Sequence, residues 1–568
     1  MNDSKNLVLA IVLSMLVLFG WTWAANKYFP TANPPSTKVE GGKQQPLPQA
    51  QAQPSAANAP KVTQTISSAL ASGPRVSIRT PSLMGSINLK GAQIDDLLLL
   101  NQKQTIAADS PPVRLLSPLG APNAYIAQFG WAAQGAQTPS LDTVWTTDSS
   151  QLSPGHPVTL STQMPDGTRY QIKIAVDDNY LFTVTQSVLN GSGRPFAVRP
   201  IGLVSRAGQS SDRSTWTNHV GPLGVFDGKA NYSVNWKDLD DGKSETFSNV
   251  PGWLGFTDKY WLTALAPEAP MTSEFRKGSS GSYQADYELG QQVVAPGQTA
   301  TTTTRFFAGA KEKPLLNRYE QAGIPQFSYA IDWGWFHWFM IPIFDLLLFL
   351  FHTFGNFGVA ILALTLIVRA IMFPVAHKQF QSMAAMRKLQ PKMKAIQERF
   401  KDDKQRQQQE ILKLYQQEKV NPAAGCLPIL LQIPVFYALY KTLLVSVEMR
   451  HQPFILWIKD LSAPDPLTPV NLFGLLHFVP PPMLAIGVLP ILVGASQWMS
   501  MKLNPQPMDP AQAQVFAIMP WFLVFIMAPF AAGLQLYWMT NNLLTIAQQW
   551  FLYKKYGLHL SDTHPVHT

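Results

Sequence analysis

Six runs of about 20 largely apolar residues mark the chain, near 6 to 25, 355 to 375, 425 to 447, 484 to 502, 513 to 529 and 532 to 552. A helix rises about 1.5 Å per residue, so each run has the length needed to cross a hydrocarbon layer of about 30 Å. More than 300 residues separate the first run from the second, and over most of that interval the apolar period is two. In RYQIKIAVDDNYLFTVTQSVLN, Tyr170, Ile172, Ile174 and Val176 alternate with polar residues, Asp177 to Asn179 supply a turn, and Phe182 and Val184 resume the alternation. That pattern predicts a hairpin. RVSIRT and TTTTRFFAG, set between Gly, Pro and Asp clusters, extend it to an antiparallel β-sandwich of roughly 240 residues.

Three other segments complete the organisation. Residues 30–74 are dense in Pro, Ala, Gln and Ser and cannot form a core, so they predict a tether after an N-terminal anchor at 1–29. IDWGWFHWFMIPIFDLLLFLF, broken by Asp332, His337, Pro342 and Asp345, reads as an amphipathic helix in the outer membrane interface, within 326–353; a seventh span is the alternative. Between the second and third runs, Met383, Met386, Leu389, Met393, Ile396 and Phe400 recur at steps of three and four, KDDK supplies a turn, and Ile411, Leu414 and Tyr415 continue the stripe. This predicts a helical hairpin at 376–424, inside a membrane core at 354–556, with the sandwich at 75–325 and a tail at 557–568.

Charge gives the chain an orientation. A net charge of +9 would suggest nucleic acid in a soluble protein, but residues 376–424 hold eleven Lys or Arg against five acids. By the positive-inside rule that loop is cytoplasmic, and Lys502, Lys554 and Lys555 agree. Six spans then leave both termini inside and the sandwich outside. The first run read instead as a cleaved signal peptide is an alternative, since Thr22 and Ala24 are small; Trp21 and Trp23 near its outer end favour a retained anchor. The single cysteine, Cys426, excludes an internal disulfide.

Within the second run stands Arg369, nine residues before Lys378 and thus roughly 13 Å deeper. A charge at mid-span costs about 2.5 to 3.5 kcal/mol on insertion scales, so a partner or water is expected beside it. Thr365 and His377 share its helical face, and in GLQLYWMTNNLLTIAQQW a sector of roughly 140° carries Tyr537, Trp538, Asn541, Asn542, Thr545, Gln548 and Gln549. Gln432, Tyr437 and Tyr440 add polar groups from the third run. No membrane acid lies deep enough to neutralise Arg369, which predicts a hydrated cavity with a lone positive charge; polar contacts that only join helices are the alternative. Chemistry has no visible seat: GKS at 242–244 has Lys237 where a P-loop needs its first glycine, and HExxH, CxxC and G-x-S-x-G do not occur. No enzyme activity, cofactor or metal is expected.

NPAAGCLPILLQIPVFYALYKTL, IVRAIMFPV, RKLQPKMKAIQERF, WIKDLSAPDP and GLQLYWMTNNLLTIAQQW together resemble the YidC-type membrane protein insertases of Gram-negative bacteria, over essentially all of 331–555. FFAGAKE and PGWLGFTDKYWLTALAP carry a looser similarity between 75 and 330. The resemblance implies a polytopic α-helical membrane protein of the inner membrane, with a five-helix core, a groove open to the cytoplasm and a periplasmic β-supersandwich. It implies that Arg369 is the groove arginine, that Thr365, Gln432, Tyr537, Asn541 and Thr545 line the groove, and that Ile433, Pro434, Phe436 and Trp538 meet a passing substrate helix. Many relatives have a second tyrosine where this chain has Trp538. The implied activity is insertion and folding of nascent membrane proteins, alone or with the Sec translocon. The ribosome is an implied partner, through Arg387, Lys388, Lys392, Lys394 and Arg399 of the hairpin, and membrane lipids are another. A transporter or channel, and a membrane-anchored carbohydrate-binding enzyme, are the alternatives of other classes.

Overall fold

A computed structural model describes residues 64–212, 218–278, 281–401, 403–418, 427–476, 485–503 and 510–555. The expected N-terminal span, Cys426 and the C-terminal tail lie outside the described residues. The chain falls into two compact units, a β unit up to Gly334 and a helical unit made of Trp335–Leu444 and the residues from Glu448, with Val445–Val447 grouped with the first. The end of the expected tether is ordered, forming the short helix Ile66–Leu70 capped by the Thr65 hydroxyl.

In the β unit the described strands form an 11-stranded and a 9-stranded sheet. The predicted hairpin is present: Arg169–Val176 pairs antiparallel with Leu181–Leu189, with Tyr170, Ile172, Ile174, Phe182 and Val184 buried. Asp177 closes its turn by accepting hydrogen bonds from the amides of Asn179 and Leu181. Thr299–Ala310 flanks the hairpin on the other side. Tyr287 reaches from one sheet to the other, its hydroxyl 2.5 Å from Thr304 Oγ1, and Gly202 makes room for its ring, since a Cβ there would lie 2.5 Å from it. Arg206 lies between the rings of Tyr125 and Trp236, at 4.9 and 5.2 Å, and pairs with Asp258 at 3.1 Å. Residues 326–334, expected to open the interfacial helix, belong to this unit. Phe327 there packs on Trp253 and Phe307, with ring centroids at 5.3 and 5.2 Å.

The helical unit contains α1 (His337–Phe354), α2 (Phe357–Arg399), α3 (Lys404–Gln417), α4 (Leu427–Val445), α5 (Val488–Lys502), α6 (Pro510–Met527) and α7 (Ala532–Lys555). Gly355, with φ of 67°, ends α1, and the Asn356 side chain accepts from the Val359 amide to start α2. The second expected span and the first arm of the basic hairpin are one helix, α2, whose 43 residues run on through Pro374 and Pro391. The hairpin closes on the predicted stripe, with Leu389, Met393 and Leu414 buried together and Ile396, Ile411 and Tyr415 packed on them. Packing joins α7 to both α2 and α5, α5 to α6, and α1 to α2. At Gly494 a Cβ would lie 2.3 Å from Val524, so a glycine allows α5 and α6 to approach.

The expected spans that fall on described residues are helical. By length and composition, two described helical stretches suffice to cross a membrane: Phe357–Gln381 of α2, with mean hydropathy 2.4, and α1, with mean hydropathy 1.5. Composition thus does not separate α1, expected in the interface, from a span. Leu366, Ile371, Trp521, Phe522, Phe525, Trp550 and Phe551 are exposed on the outer surfaces of these helices, an arrangement suited to lipid and costly in water.

Candidate functional site

Helix α7 places Tyr537, Asn541 and Thr545 on one face by its repeat of four, and three other helices bring polar groups to it. From α2, Arg369 donates through Nε to Asn541 Oδ1 at 2.7 Å and through Nη2 to the Asn541 carbonyl at 3.1 Å. Nη2 also donates to Thr545 Oγ1, and the Thr545 hydroxyl in turn donates to the Asn541 carbonyl at 2.7 Å. Every acceptor is neutral. No carboxylate among the described residues lies within ion-pair distance of Arg369, in contrast to Arg206 with Asp258. Two of the three guanidinium nitrogens are used; Nη1 has no hydrogen-bond partner among the described residues, and the side chain is half-buried.

Helix α4 supplies the next group. Gln432 Nε2 donates to the buried Tyr537 hydroxyl at 2.6 Å. Phe436, one turn on, meets Trp538 edge to face, with centroids 4.7 Å apart. The indole of Trp538 donates to Gln497 Oε1 of α5 at 3.3 Å, and Asn542 Nδ2 donates to Ser496 Oγ at 3.1 Å. The result is a polar seam through α2, α4, α5 and α7. Ile433, 56% exposed, and the half-buried Pro434 stand on α4 beside it.

Not every expected residue lies in this seam. Thr365 is buried, and its hydroxyl donates to the Ile361 carbonyl of its own helix at 2.6 Å, so sharing a helical face with Arg369 does not bring it to the same opening. His377 stacks on Phe373, with centroids 6.1 Å apart, two turns beyond Arg369. Lys388, Lys394 and Arg399 are exposed on the hairpin, and Lys392 pairs with Glu418 at 2.5 Å. Arg387 lies in α2, with its side chain outside the described residues.

Sequence reasoning passed over three positions. Ser496 and Gln497 sit in GASQWMS, where a polar pair inside an apolar run was a usable signal. Lys441 of α4 is 1% exposed, a buried cation that the run YALYKTLL displays openly. Away from the seam, burial pushes the Asp286 carboxyl of the β unit up to about 6, against the pull of Arg276 at 3.0 Å.

The chain matches the family profile described as 60Kd inner membrane protein over residues 349–558, and the profile described as YidC periplasmic domain over residues 75–346. It is similar to proteins named membrane protein insertase YidC from Zymomonas mobilis subsp. mobilis, at 46% identity, and from Methylorubrum extorquens, at 43%; each match covers 98% of this chain and 96% of the relative. Among solved structures it is similar to an active YidC insertase crystal structure with the first transmembrane domain resolved, at 19% identity and a TM-score of 0.37, covering 84% of this chain and 92% of that one.

Proposed function

Because the chain belongs to the YidC family of membrane protein insertases, we propose that its polar seam is the halfway site at which the hydrophilic tail of a nascent membrane protein leaves water before crossing the inner membrane. Moving a polar segment into hydrocarbon without partners costs several kcal/mol, roughly 2–7 per amide or hydroxyl. Side chains that already hold hydrogen-bonding capacity at depth lower that barrier. A guanidinium keeps its charge at physiological pH, so an acidic tail gains attraction there that a neutral one does not. The client's own apolar segment then moves past Ile433, Pro434 and Phe436 into lipid, driven by its burial. No nucleotide is consumed.

One observation carries this reading: Arg369 is held by Asn541 and Thr545, neutral groups that an incoming carboxylate can outcompete. In this reading the seam is reached from the cytoplasm, with both termini inside and the β unit in the periplasm, an orientation that the basic hairpin supports through the positive-inside rule. Ribosomes, anionic lipid and the Sec translocon are partners in keeping with the hairpin's charge and with the family. Arg369→Glu is the test. Insertion of a short single-span client with an acidic tail is expected to fall at least tenfold, while the same client with a neutral tail inserts as before. Equal insertion of the two clients rejects the electrostatic role.

A further inference from the structure

Between α4 and α5 the chain makes a turn whose side chains are apolar where solvent would be expected. Pro469–Gly474 is a kinked turn in which Asn471, Leu472 and Phe473 leave helical backbone, and Leu472, Phe473 and Leu475 in and after it are 52%, 54% and 76% exposed, with Val470 and Leu476 also open. Three hydrogen bonds tie the turn together at its base. Phe473 N donates to the carbonyl of the buried Thr468, Leu476 N donates to the Asn471 carbonyl, and the Thr468 hydroxyl bonds to Asn471 Oδ1, at 2.9, 3.0 and 2.9 Å. The large side chains that face outward are hydrocarbon. Leu472 and Phe473 both adopt left-handed backbone, with φ of 49° and 58°, a conformation unfavourable for bulky side chains that needs a compensating contact.

The height of this turn is set by α5. Val488 N, at the first residue of α5, donates to the Leu467 carbonyl at 3.0 Å. Asp465 fixes the same junction, one oxygen accepting from Leu467 N and the Trp457 indole, each at 3.0 Å, the other from Leu489 N at 2.7 Å. Phe473 N is bonded to the carbonyl of Thr468, the residue after Leu467, so the chain folds back and Leu472 and Phe473 stay within about 12 Å of the helix end. The interfacial layer on each side of the hydrocarbon is roughly 5–8 Å deep. From Pro466 to Met501 the sequence contains no Asp, Glu, Lys or Arg, so no charge opposes insertion. Ile491 and Leu492, one turn into α5, are exposed too, and continue the apolar surface onto the helix.

We propose that this turn is a lipid anchor, its Leu472, Phe473 and Leu475 side chains seated at the headgroup–acyl boundary of the outer leaflet, so that bound phospholipid fixes the outer ends of α4 and α5. The proposal rests on the reading that these helices cross the bilayer with their connection outside.

The test uses the full chain with Cys426→Ser and a single new cysteine at Leu475, Leu366 of α2 or Val293 of the β unit. All three positions are exposed, so substitution leaves the packing intact. Each is labelled with an environment-sensitive nitrobenzoxadiazole probe, and the protein is reconstituted in phosphatidylethanolamine–phosphatidylglycerol vesicles. At Leu475 the proposal predicts a blue-shifted emission, quenching strongest by lipids spin-labelled high on the acyl chain, and protection from aqueous iodide. Val293 is expected to report water and Leu366 the deep acyl region. Iodide quenching at Leu475 equal to that at Val293, with Leu366 still in lipid, overturns the anchor alone. Water at Leu366 as well overturns the membrane-spanning reading and the anchor with it. Protection at Leu475 that appears only when a ribosome-bound client is added assigns the turn to client contact and overturns the lipid proposal.

Discussion

Arg369 owes its position to two neutral side chains one helical turn apart on α7, and Tyr537 owes its own to Gln432. The second pair allows a test of how tightly the seam is built. Gln432→Leu leaves the buried Tyr537 hydroxyl without its donor and is expected to cost about 1–3 kcal/mol; adding Tyr537→Phe recovers part of that loss, because no polar atom is then stranded. Thermal unfolding of the single and double variants in detergent measures the coupling, and additive losses contradict it. At this scale the sequence was informative about stripes and uninformative about partners. The repeat of four placed Tyr537, Asn541 and Thr545 together. It gave no sign that Thr365, on the same face as Arg369, satisfies itself on the Ile361 carbonyl, because a hydroxyl bonding back along its own helix leaves no trace in spacing.

Helix boundaries follow from backbone hydrogen bonding, which need not respect the change in composition that a membrane surface imposes. Sequence reading split α2 into a span and a hairpin arm where polar residues begin, yet the backbone continues through both prolines. Each proline removes one hydrogen bond, a loss that a long, packed helix tolerates. The hairpin's apolar stripe was legible because two facing helices bury a period of three and four whatever their net charge. Asp465 was not, since it looked like one more loop acid in WIKDLSAPDP. Asp465→Ala removes the side-chain acceptor from Leu489 N, Leu467 N and the Trp457 indole, and is expected to destabilise the helical unit by about 1–3 kcal/mol. Calorimetry in detergent checks this, and an unchanged midpoint contradicts it.

The whole chain is a β unit and a helical unit, each with its own core. The alternation of period two was enough to predict the sandwich, because strands such as Arg169–Val176 and Leu181–Leu189 bury every second residue; the order of twenty strands was beyond it, since pairing between distant segments has no local signature. As the seam is made only by the helical unit, removal of residues 75–320 is expected to leave insertion of a short client within about threefold of the intact chain, under half a factor-of-ten step in free-energy terms. Loss of all insertion by a variant that still reaches the membrane places an essential function in the β unit instead.

The central claim is that a client passes along the seam. Site-specific photocrosslinking reads this directly, with a benzophenone amino acid placed at Ile433, beside the seam on α4, or at Ile371, on the opposite side of α2 from Arg369 and more open still. With a ribosome-arrested single-span client, the account predicts strong crosslinks from Ile433 and background levels from Ile371. Equal labelling from both, or none from Ile433, would contradict it.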